Sequence, residues 1–261
     1  MTSKIVIKRP LGWAAAALAL VLLQGCATGP NANPADPLEP FNRAVFKFND
    51  GLDRTLIKPA ATAYQDITPV PVRRGVTNFF GNISDVWSLV NNVLQFKPEA
   101  AADSFFRVTV NTLWGLGGIF DLASEMEIRK HSQNFGQTLR HWGVASGVYL
   151  VLPVLGPSSV RDSVGTLVDF QGDLVSQGIS RVPLRNSLLN LRAVNLRANL
   201  LDAGDFLERA SLDKYSFARD IYLQRHGRPK VEAPTEPEER YDLPEAAPGD
   251  GEPAAPASTA Q

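Results

Sequence analysis

The sequence has few of the residues that several functional sites require. Its 261 residues include one cysteine, Cys26, and three histidines, at positions 131, 141 and 226. A single cysteine excludes an intrachain disulfide and any cysteine-rich metal site. The histidines lack helix-face spacing and an H-E-x-x-H arrangement. We therefore predict no metal site.

The sequence also lacks an excess of either charge, because 26 basic and 27 acidic residues leave a net charge of −1. The sum hides three unequal segments, with +3 in residues 1–25, +2 in 26–228 and −6 in 229–261. None is basic enough to predict a nucleic-acid partner.

Motifs for catalysis are missing too. There is no G-x-S-x-G elbow and no Walker A sequence, and the glycines at 115, 117 and 118 indicate a turn rather than a dinucleotide loop. Carboxylate pairs such as Asp202 and Asp205 are typical of helix caps and solvated charges. We therefore predict neither an enzyme nor a cofactor.

What the sequence does contain begins with an export signal. Lys4, Lys8 and Arg9 precede an apolar run of about 13 residues, which is too short to span a bilayer stably. Leu23-Gln24-Gly25-Cys26 resembles a bacterial lipobox, which predicts a signal peptide over 1–25 and lipidation of Cys26. Because several acyl chains would anchor it, attachment should be permanent. The alternative is an ordinary signal peptide with a fortuitous cysteine.

Composition then divides the mature chain. Residues 26–35 form a short polar tether, 36–228 carry the apolar periodicity of one domain, and 229–261 combine seven prolines with eight acidic residues. Such a tail cannot bury enough apolar surface to offset its ordering entropy, so we predict disorder there. No second stretch after Cys26 is apolar enough to span a membrane.

Within the domain, apolar residues recur at helical spacing, which predicts an all-α fold. The predicted helices cover 41–56 between Pro40 and Pro59, 82–96, a segment opened by Pro98, 184–201 and 213–225. Only 147–155 is extended enough for a strand or hairpin arm, within a glycine-rich apolar loop. Aromatic residues such as Phe48, Phe105 and Trp114 fit either a water-soluble core or helices at a lipid interface.

Specific strings within this pattern resemble the MlaA/VacJ family of lipoproteins. They begin with Asp36-Pro37-Leu38-Glu39-Pro40-Phe41-Asn42-Arg43 and continue through Asn78-Phe79-Phe80-Gly81-Asn82 and Gly115-Leu116-Gly117-Gly118-Ile119-Phe120-Asp121. Phe135-Gly136-Gln137-Thr138-Leu139 and Tyr149-Leu150-Val151-Leu152-Pro153 follow, so the resemblance covers 36–227 in order.

The resemblance implies a ring-like bundle of amphipathic helices in the Gram-negative outer membrane, lipid-anchored and facing the periplasm. Such proteins associate with trimeric porins, remove phospholipids that have strayed into the outer leaflet and pass them to a periplasmic phospholipid carrier. Ala27 follows the lipidated cysteine in place of the aspartate that retains many lipoproteins at the inner membrane, which agrees with this address.

The resemblance also directs attention to particular residues. Gly143 and Gly147 flank Tyr149, Leu150 and Leu152, and we predict that they are hinges of a gating loop; the alternative is a fixed turn. Candidates for binding a lipid head group are Arg107, Arg140 and Arg161, although structural ion pairs are the stronger alternative. We expect Phe48 and Asn49 to brace the ring.

Three functions stay open on the sequence. The first is a phospholipid-transport lipoprotein that maintains outer-membrane lipid asymmetry. The second is a porin-associated structural lipoprotein without transport activity, and the third is an acyl hydrolase that acts on the same lipids.

Overall fold

The computed structural model describes residues 33–227. The predicted signal peptide, the lipidated Cys26 and the acidic tail lie outside the described residues, as does most of the tether. The described part falls within one compact unit.

The fold is predominantly α-helical, as predicted. The helices are α1 (Glu39–Leu52), α2 (Lys58–Ile67), α3 (Val70–Leu94), α4 (Pro98–Leu113), α5 (Leu122–Glu125), α6 (Phe135–His141), α7 (Val160–Gly172), α8 (Leu174–Gly178), α9 (Val182–Ala198), α10 (Leu201–Ala210) and α11 (Lys214–His226). Strands β1 (Tyr149–Leu152) and β2 (Gly156–Ser159) form an antiparallel hairpin that pairs Tyr149 with Ser159. Over residues 33–227, none of the helices combines the length and the apolar character that crossing a membrane requires.

Local signals place several boundaries. Pro98 opens α4 at its first turn, where a missing N–H costs nothing. The side chain of Asp213 caps α11 by accepting a hydrogen bond from the Tyr215 N–H at 3.0 Å. Gly227 ends that helix with a φ of +85°, which glycine adopts without steric cost. The predicted strand arm is confirmed by β1.

Pro59 does not end the first helix, contrary to our expectation. A π-helical turn, Asp53–Ile57, follows α1 and leads directly into α2, where Pro59 lies in the first turn. Proline removes one N–H and crowds the carbonyl four residues earlier. A wider π turn accommodates both effects, so the chain stays helical through the proline.

Helix α3 is also longer than predicted, because it starts at Val70 rather than at residue 82. Its polar residues Asn82, Asp85, Ser88 and Asn92 are buried, together with Gln95 just beyond its end. They recur every three or four positions and therefore share one face. Apolar residues of the same helix, such as Val90, Val93 and Leu94, are exposed on the opposite face.

The buried polar face of α3 packs on α4 and α6, and we call this contact the polar seam. Asn92 donates to the hydroxyl of Ser104 at 3.1 Å, and Gln95 donates to the hydroxyl of Thr138 at 2.9 Å. These partners satisfy side-chain N–H donors that would otherwise be costly to bury, whereas the Asn92 Oδ1 is buried without a hydrogen-bond partner.

Much of residues 33–227 shows inverted burial, which means that polar side chains are buried and large apolar side chains are exposed. Eighteen polar or charged residues there are buried against thirteen apolar ones, and many large apolar side chains are exposed. The exposed aromatic rings include Phe48, Phe96, Phe105, Phe106, Trp114 and Trp142. Phe96 contacts Trp142 and Phe105 contacts Phe106, and neighbouring exposed apolar side chains of this kind are typical of surfaces that contact another apolar phase or a partner. The lipid-interface interpretation of these rings therefore fits better than the soluble core.

Candidate functional site

Two asparagines of α1 hold the hairpin by its backbone. The buried side chain of Asn42 donates to the carbonyl of Tyr149 at 3.1 Å and accepts from the N–H of Val151 at 2.8 Å. Two turns further along, Asn49 donates to the carbonyl of Leu152 at 2.9 Å and accepts from the N–H of Val154 at 2.8 Å. Each amide thus takes the place of a neighbouring strand, because it offers the β1 side of the hairpin one N–H donor and one carbonyl acceptor.

A tyrosine cluster fixes the hairpin from behind. The ring of Tyr149, which is fully buried, packs against Tyr215 and Tyr222 of α11 at centroid distances of 6.5 and 5.5 Å. Tyr215 donates its hydroxyl to Asp36, and Tyr222 donates to Asp162. Burial and the carboxylate partners raise the pKa of both phenols, so they stay protonated donors.

The turn of the hairpin is strained and apolar. Val154 has a φ of +67°, a region that a β-branched residue rarely occupies. Val154 and Leu155 are 65% and 54% exposed. The hydrogen bond that the Val154 N–H donates to the Asn49 side chain holds Val154 in this conformation. Sequence reasoning missed both residues, since it placed the gate at 149–152, and only Pro153 hinted that a turn follows the strand.

A cavity of about 580 Å³ opens beside this turn, and we call it the hairpin cavity. Its apolar walls are the hairpin tip and one stripe of α9, and its polar groups come mainly from α1, the π-helical turn and two arginines of α9. The residues that line it are Phe46, Asn49, Asp50, Leu52, Asp53, Ile57, Val154, Leu155, Gly156, Pro157, Leu189, Arg192, Ala193, Leu196, Arg197 and Leu200. Its volume lies within the range of ligand-binding pockets, and its walls are amphipathic.

The predicted gate residues differ in backbone conformation, in the space around them and in burial. Gly143 and Gly147 have φ values of +82° and +69°, which other residues adopt only with strain. A Cβ on Gly143 would meet open space, whereas one on Gly147 would meet Val160 at 3.2 Å. Leu150 and Leu152 are half-buried, and Tyr149 is fixed in its cluster. That the two glycines act as hinges stays a prediction.

Asn49 and Phe48, predicted to brace the ring, differ in their contacts. Asn49 joins α1 to the hairpin as described above, whereas the Phe48 ring is 58% exposed. Asn42, which makes the same kind of contact from a fully buried position, was not singled out. Its signal is the spacing, because two asparagines seven residues apart lie on one face of a helix.

Arg107 lies inside the polar seam. It is 2% exposed and donates to Asp85 at 3.3 Å, to both oxygens of Asp121 at 3.0 and 3.1 Å and to the carbonyl of Ile128 at 2.8 Å. Burial opposes ionisation of Asp121, but hydrogen bonds from Ser124 and Asn111 and the charge of Arg107 outweigh it and lower its pKa to about 2. This geometry favours the structural ion pair for Arg107.

The other two head-group candidates lie near the glycine-rich loop. Arg161 is 5% exposed, donates to Asp162 at 2.7 Å and reaches the carbonyl of Val144 at 3.3 Å, so it ties the loop to α7. Arg140 is exposed and donates to the carbonyl of Arg225 at 3.2 Å. Of the three candidates, Arg140 alone presents its charge to the surroundings, and its contact with a head group stays a prediction.

Groups suited to metal binding or acid–base chemistry do not converge at these sites. Over residues 33–227, no three histidine, cysteine or acidic side chains are grouped as metal ligands. His131 pairs with Asp103 at 2.9 Å, away from the residues that line the hairpin cavity.

Taken together, the fold and the site define a helical domain with an inverted, partly apolar exterior and an amphipathic cavity beside a clamped hairpin. Residues 34–228 match the family model of the MlaA lipoprotein. The chain belongs to the MlaA lipoprotein family.

Relatives and a solved structure agree with this assignment. The intermembrane phospholipid transport system lipoproteins MlaA of Shigella flexneri and Escherichia coli (strain K12) are each 37% identical over 218 residues, which cover 81% of this chain and 86% of theirs. The Haemophilus influenzae protein of the same name is 32% identical, with 80% and 86% covered. A structure from work on the structural basis for maintenance of bacterial outer membrane lipid asymmetry superposes with a TM-score of 0.64 at 36% identity, covering 73% of this chain and 96% of that one.

Proposed function

We propose that this chain is a lipid-anchored outer-membrane protein that removes mislocalised phospholipids from the outer leaflet and passes them to a periplasmic carrier. The observation that carries the proposal is the inverted burial of residues 33–227, with a polar seam inside and exposed aromatic rings outside. In water, exposing these rings would be costly. Against acyl chains the same surface is in its preferred phase, and the internal hydrogen bonds hold the helices together.

The hairpin cavity is the proposed route for the lipid. A phosphate that crossed bare hydrocarbon would lose its hydration at a cost of several kcal/mol or more. The cavity offers Asn49, Asp50 and Arg197 on its polar side and Val154, Leu155 and Leu196 on its apolar side. A head group and an acyl chain can therefore each face a compatible wall.

The glycine-rich loop is the proposed gate. Gly143 and Gly147 would rotate the segment that precedes β1, while Asn42 and the tyrosine cluster hold β1 itself. On this view the moving part is residues 143–148, and β1, which contains Tyr149, Leu150 and Leu152, is the fixed edge that this loop opens from. Arg140 is the proposed head-group contact at the exposed edge of α6.

The proposed partners and address follow from the family. The family description is that of a lipoprotein, and the relatives' names refer to intermembrane phospholipid transport. From the resemblance we infer lipidation of Cys26, a position on the periplasmic side of the outer membrane, association with trimeric porins and transfer to a soluble periplasmic phospholipid carrier. This function requires no catalytic group, which fits a transport protein rather than an enzyme.

The test measures outer-leaflet phospholipid in cells that lack the chain and in the same cells complemented with it. We expect the deletion to raise outer-leaflet phospholipid and the chain to restore the normal level. Gly143→Pro should fail to restore it, and Gly178→Ala, at a position where a Cβ meets open space, is the matched control.

The other functions predict different results. Normal outer-leaflet lipid in the deletion strain, with altered porin packing, would indicate the structural lipoprotein. Lysophospholipid or free fatty acid that accumulates with the purified chain, and disappears in His131→Ala or His141→Ala, would indicate a hydrolase. Either result would overturn the transport proposal.

A further inference from the structure

A second cavity is also lined by a residue of α9. It has a volume of about 360 Å³ and is lined by parts of α3, α6 and α7 and by the segment 132–134, and we call it the α3–α7 cavity. Like the first, it is amphipathic, with Trp87 and Phe170 beside Gln133 and Asp169. Arg192 of α9 lines both cavities.

A bidentate ion pair with Asp173 holds Arg192 where it lines both cavities. Its Nη1 donates to Oδ1 of Asp173 at 3.0 Å and its Nη2 donates to Oδ2 at 2.8 Å. The arginine side chain is 33% exposed and the aspartate 13% exposed, so the guanidinium keeps an open side. Burial opposes ionisation of Asp173, but the hydrogen bonds and charge of Arg192 outweigh it and lower the pKa of that carboxyl.

Asp173 has a role that does not depend on Arg192. It precedes α8, and its Oδ1 accepts a hydrogen bond from the N–H of Val175 at 3.2 Å. If the guanidinium turns away, the carboxylate still caps the helix. The pair can therefore open without leaving Asp173 stranded, whereas Arg107 in the polar seam is surrounded by protein partners and 2% exposed.

We propose that Arg192 binds the phosphate of a phospholipid as it moves between the hairpin cavity and the α3–α7 cavity, exchanging Asp173 for the lipid phosphate. A phosphodiester presents two oxygens to the guanidinium fork in the same geometry as a carboxylate. The apolar stripe of α9 beside Arg192, formed by Leu189 and Leu196, keeps contact with an acyl chain during the exchange. This inference rests on the proposed transport function and names a residue that contacts its cargo.

If the ion pair between Arg192 and Asp173 is purely structural, the expected effect of Asp173→Asn on lipid binding is different. If the pair only stabilises the fold, Arg192→Gln and Asp173→Asn break the same contact and should have the same effect. If Arg192 is a phosphate ligand, Asp173→Asn frees the guanidinium and Arg192→Gln removes it. Asparagine at position 173 can still accept the hydrogen bond that caps α8, so any effect of Asp173→Asn on lipid binding does not come from loss of the helix cap.

The experiment uses the full lipidated chain, purified in detergent and incubated with vesicles of phosphatidylethanolamine and phosphatidylglycerol. Bound lipid phosphorus per chain and the unfolding midpoint are measured for each variant. Lys58→Gln is the matched control, because Lys58 pairs with Asp205 at 2.7 Å and lines neither cavity.

We expect Arg192→Gln to bind phospholipid about tenfold more weakly, since a hydrogen bond to a charged group contributes at that level. Arg192→Lys should fall between it and the parent chain, because a point charge replaces the fork. Asp173→Asn should bind at least as much lipid as the parent chain, and Lys58→Gln should bind the same amount.

Equal losses in Arg192→Gln and Asp173→Asn, matched by equal falls in the unfolding midpoint, would overturn the assignment. So would unchanged binding in Arg192→Gln. Failure of the transport proposal would look different, because the parent chain itself would then bind no phospholipid and its deletion would leave the outer leaflet normal.

Discussion

Replacing Asn42 by alanine is expected to destabilise the chain far more than replacing Asn49, although both clamp the hairpin in the same way. Asn42, Tyr149 and Val151 are fully buried. Truncation therefore leaves the Tyr149 carbonyl and the Val151 N–H without their partner where water does not reach. Each unsatisfied buried group costs about 1–3 kcal/mol, so the loss should be at least about 2 and near 4 kcal/mol.

The same truncation at Asn49 should cost about 1 kcal/mol. Asn49 is half-buried and the contact that it makes with Val154 is exposed, so water can take its place. Without the Asn49 side chain, Val154 can also leave its strained conformation, and this relief offsets part of the fall in unfolding free energy. The two variants therefore differ by about 3 kcal/mol, roughly a hundredfold in the folding equilibrium.

The assay is equilibrium unfolding of the full chain in detergent, followed by tryptophan fluorescence against urea. Asn42→Asp is the isosteric control, since it keeps the size but places a second carboxylate beside Asp36, which receives a hydrogen bond from Asn42 at 2.8 Å. It should be at least as unstable as the alanine variant at neutral pH and recover as the pH falls. Equal costs for the two alanine variants would refute the view that burial of the backbone groups sets the magnitude.

Three further predictions concern the polar seam and the hairpin tip. Arg107→Met should cost about 3 kcal/mol in urea unfolding because it leaves the buried Asp85 with Lys130 as its one remaining ion-pair partner and removes the partner of Asp121, whereas Arg43→Met, at an exposed pair, should cost 1 kcal/mol or less. The folded-state pKa of Asp121 lies below its ordinary value, so its contribution is complete above about pH 4 and is lost as the pH falls towards 2, and Asp121→Asn should flatten the pH dependence of the unfolding free energy there. Val154→Gly should stabilise the chain by about 1 kcal/mol in the same assay, because relief of the left-handed backbone exceeds the entropy that glycine adds; no gain would mean that the tip is not strained.

The parts of the fold that follow from a few neighbouring residues were predicted from the sequence. Pro98 begins α4 and Gly227 follows α11, and the turn at 115–118 separates α4 from α5. The prediction that Pro59 ends the first helix was wrong, because the wider π-helical turn before it tolerates the missing N–H and the steric crowding that proline causes. The start of α3 was missed because its first turns, from Val70 to Gly81, carry two glycines and a proline that lower intrinsic helix propensity.

The candidate site was predicted less well, for a physical reason. Periodicity shows that a helix has two faces, but it does not show which face is inside. The stripe through Val90, Val93 and Leu94 suggests a core in water, yet these residues are exposed and Asn92 on the opposite face is buried. The hairpin cavity and Arg192 depend on contacts between segments far apart in the chain, which no local pattern encodes.

Inverted burial changes what can specify this fold. When the exterior contacts acyl chains, an apolar side chain gains little by moving from lipid into the protein, so the hydrophobic effect discriminates weakly between correct and incorrect helix contacts. Hydrogen bonds between specific partners, such as Asn92 with Ser104 and Asn42 with the backbone of β1, then carry the discrimination. It follows that substitutions in the polar seam should disturb the fold more than substitutions of the exposed rings such as Phe105. On the proposed function, the polar contacts of the seam and of Asn42 keep the domain rigid, and the loop before β1 is the part that would change conformation as phospholipid passes.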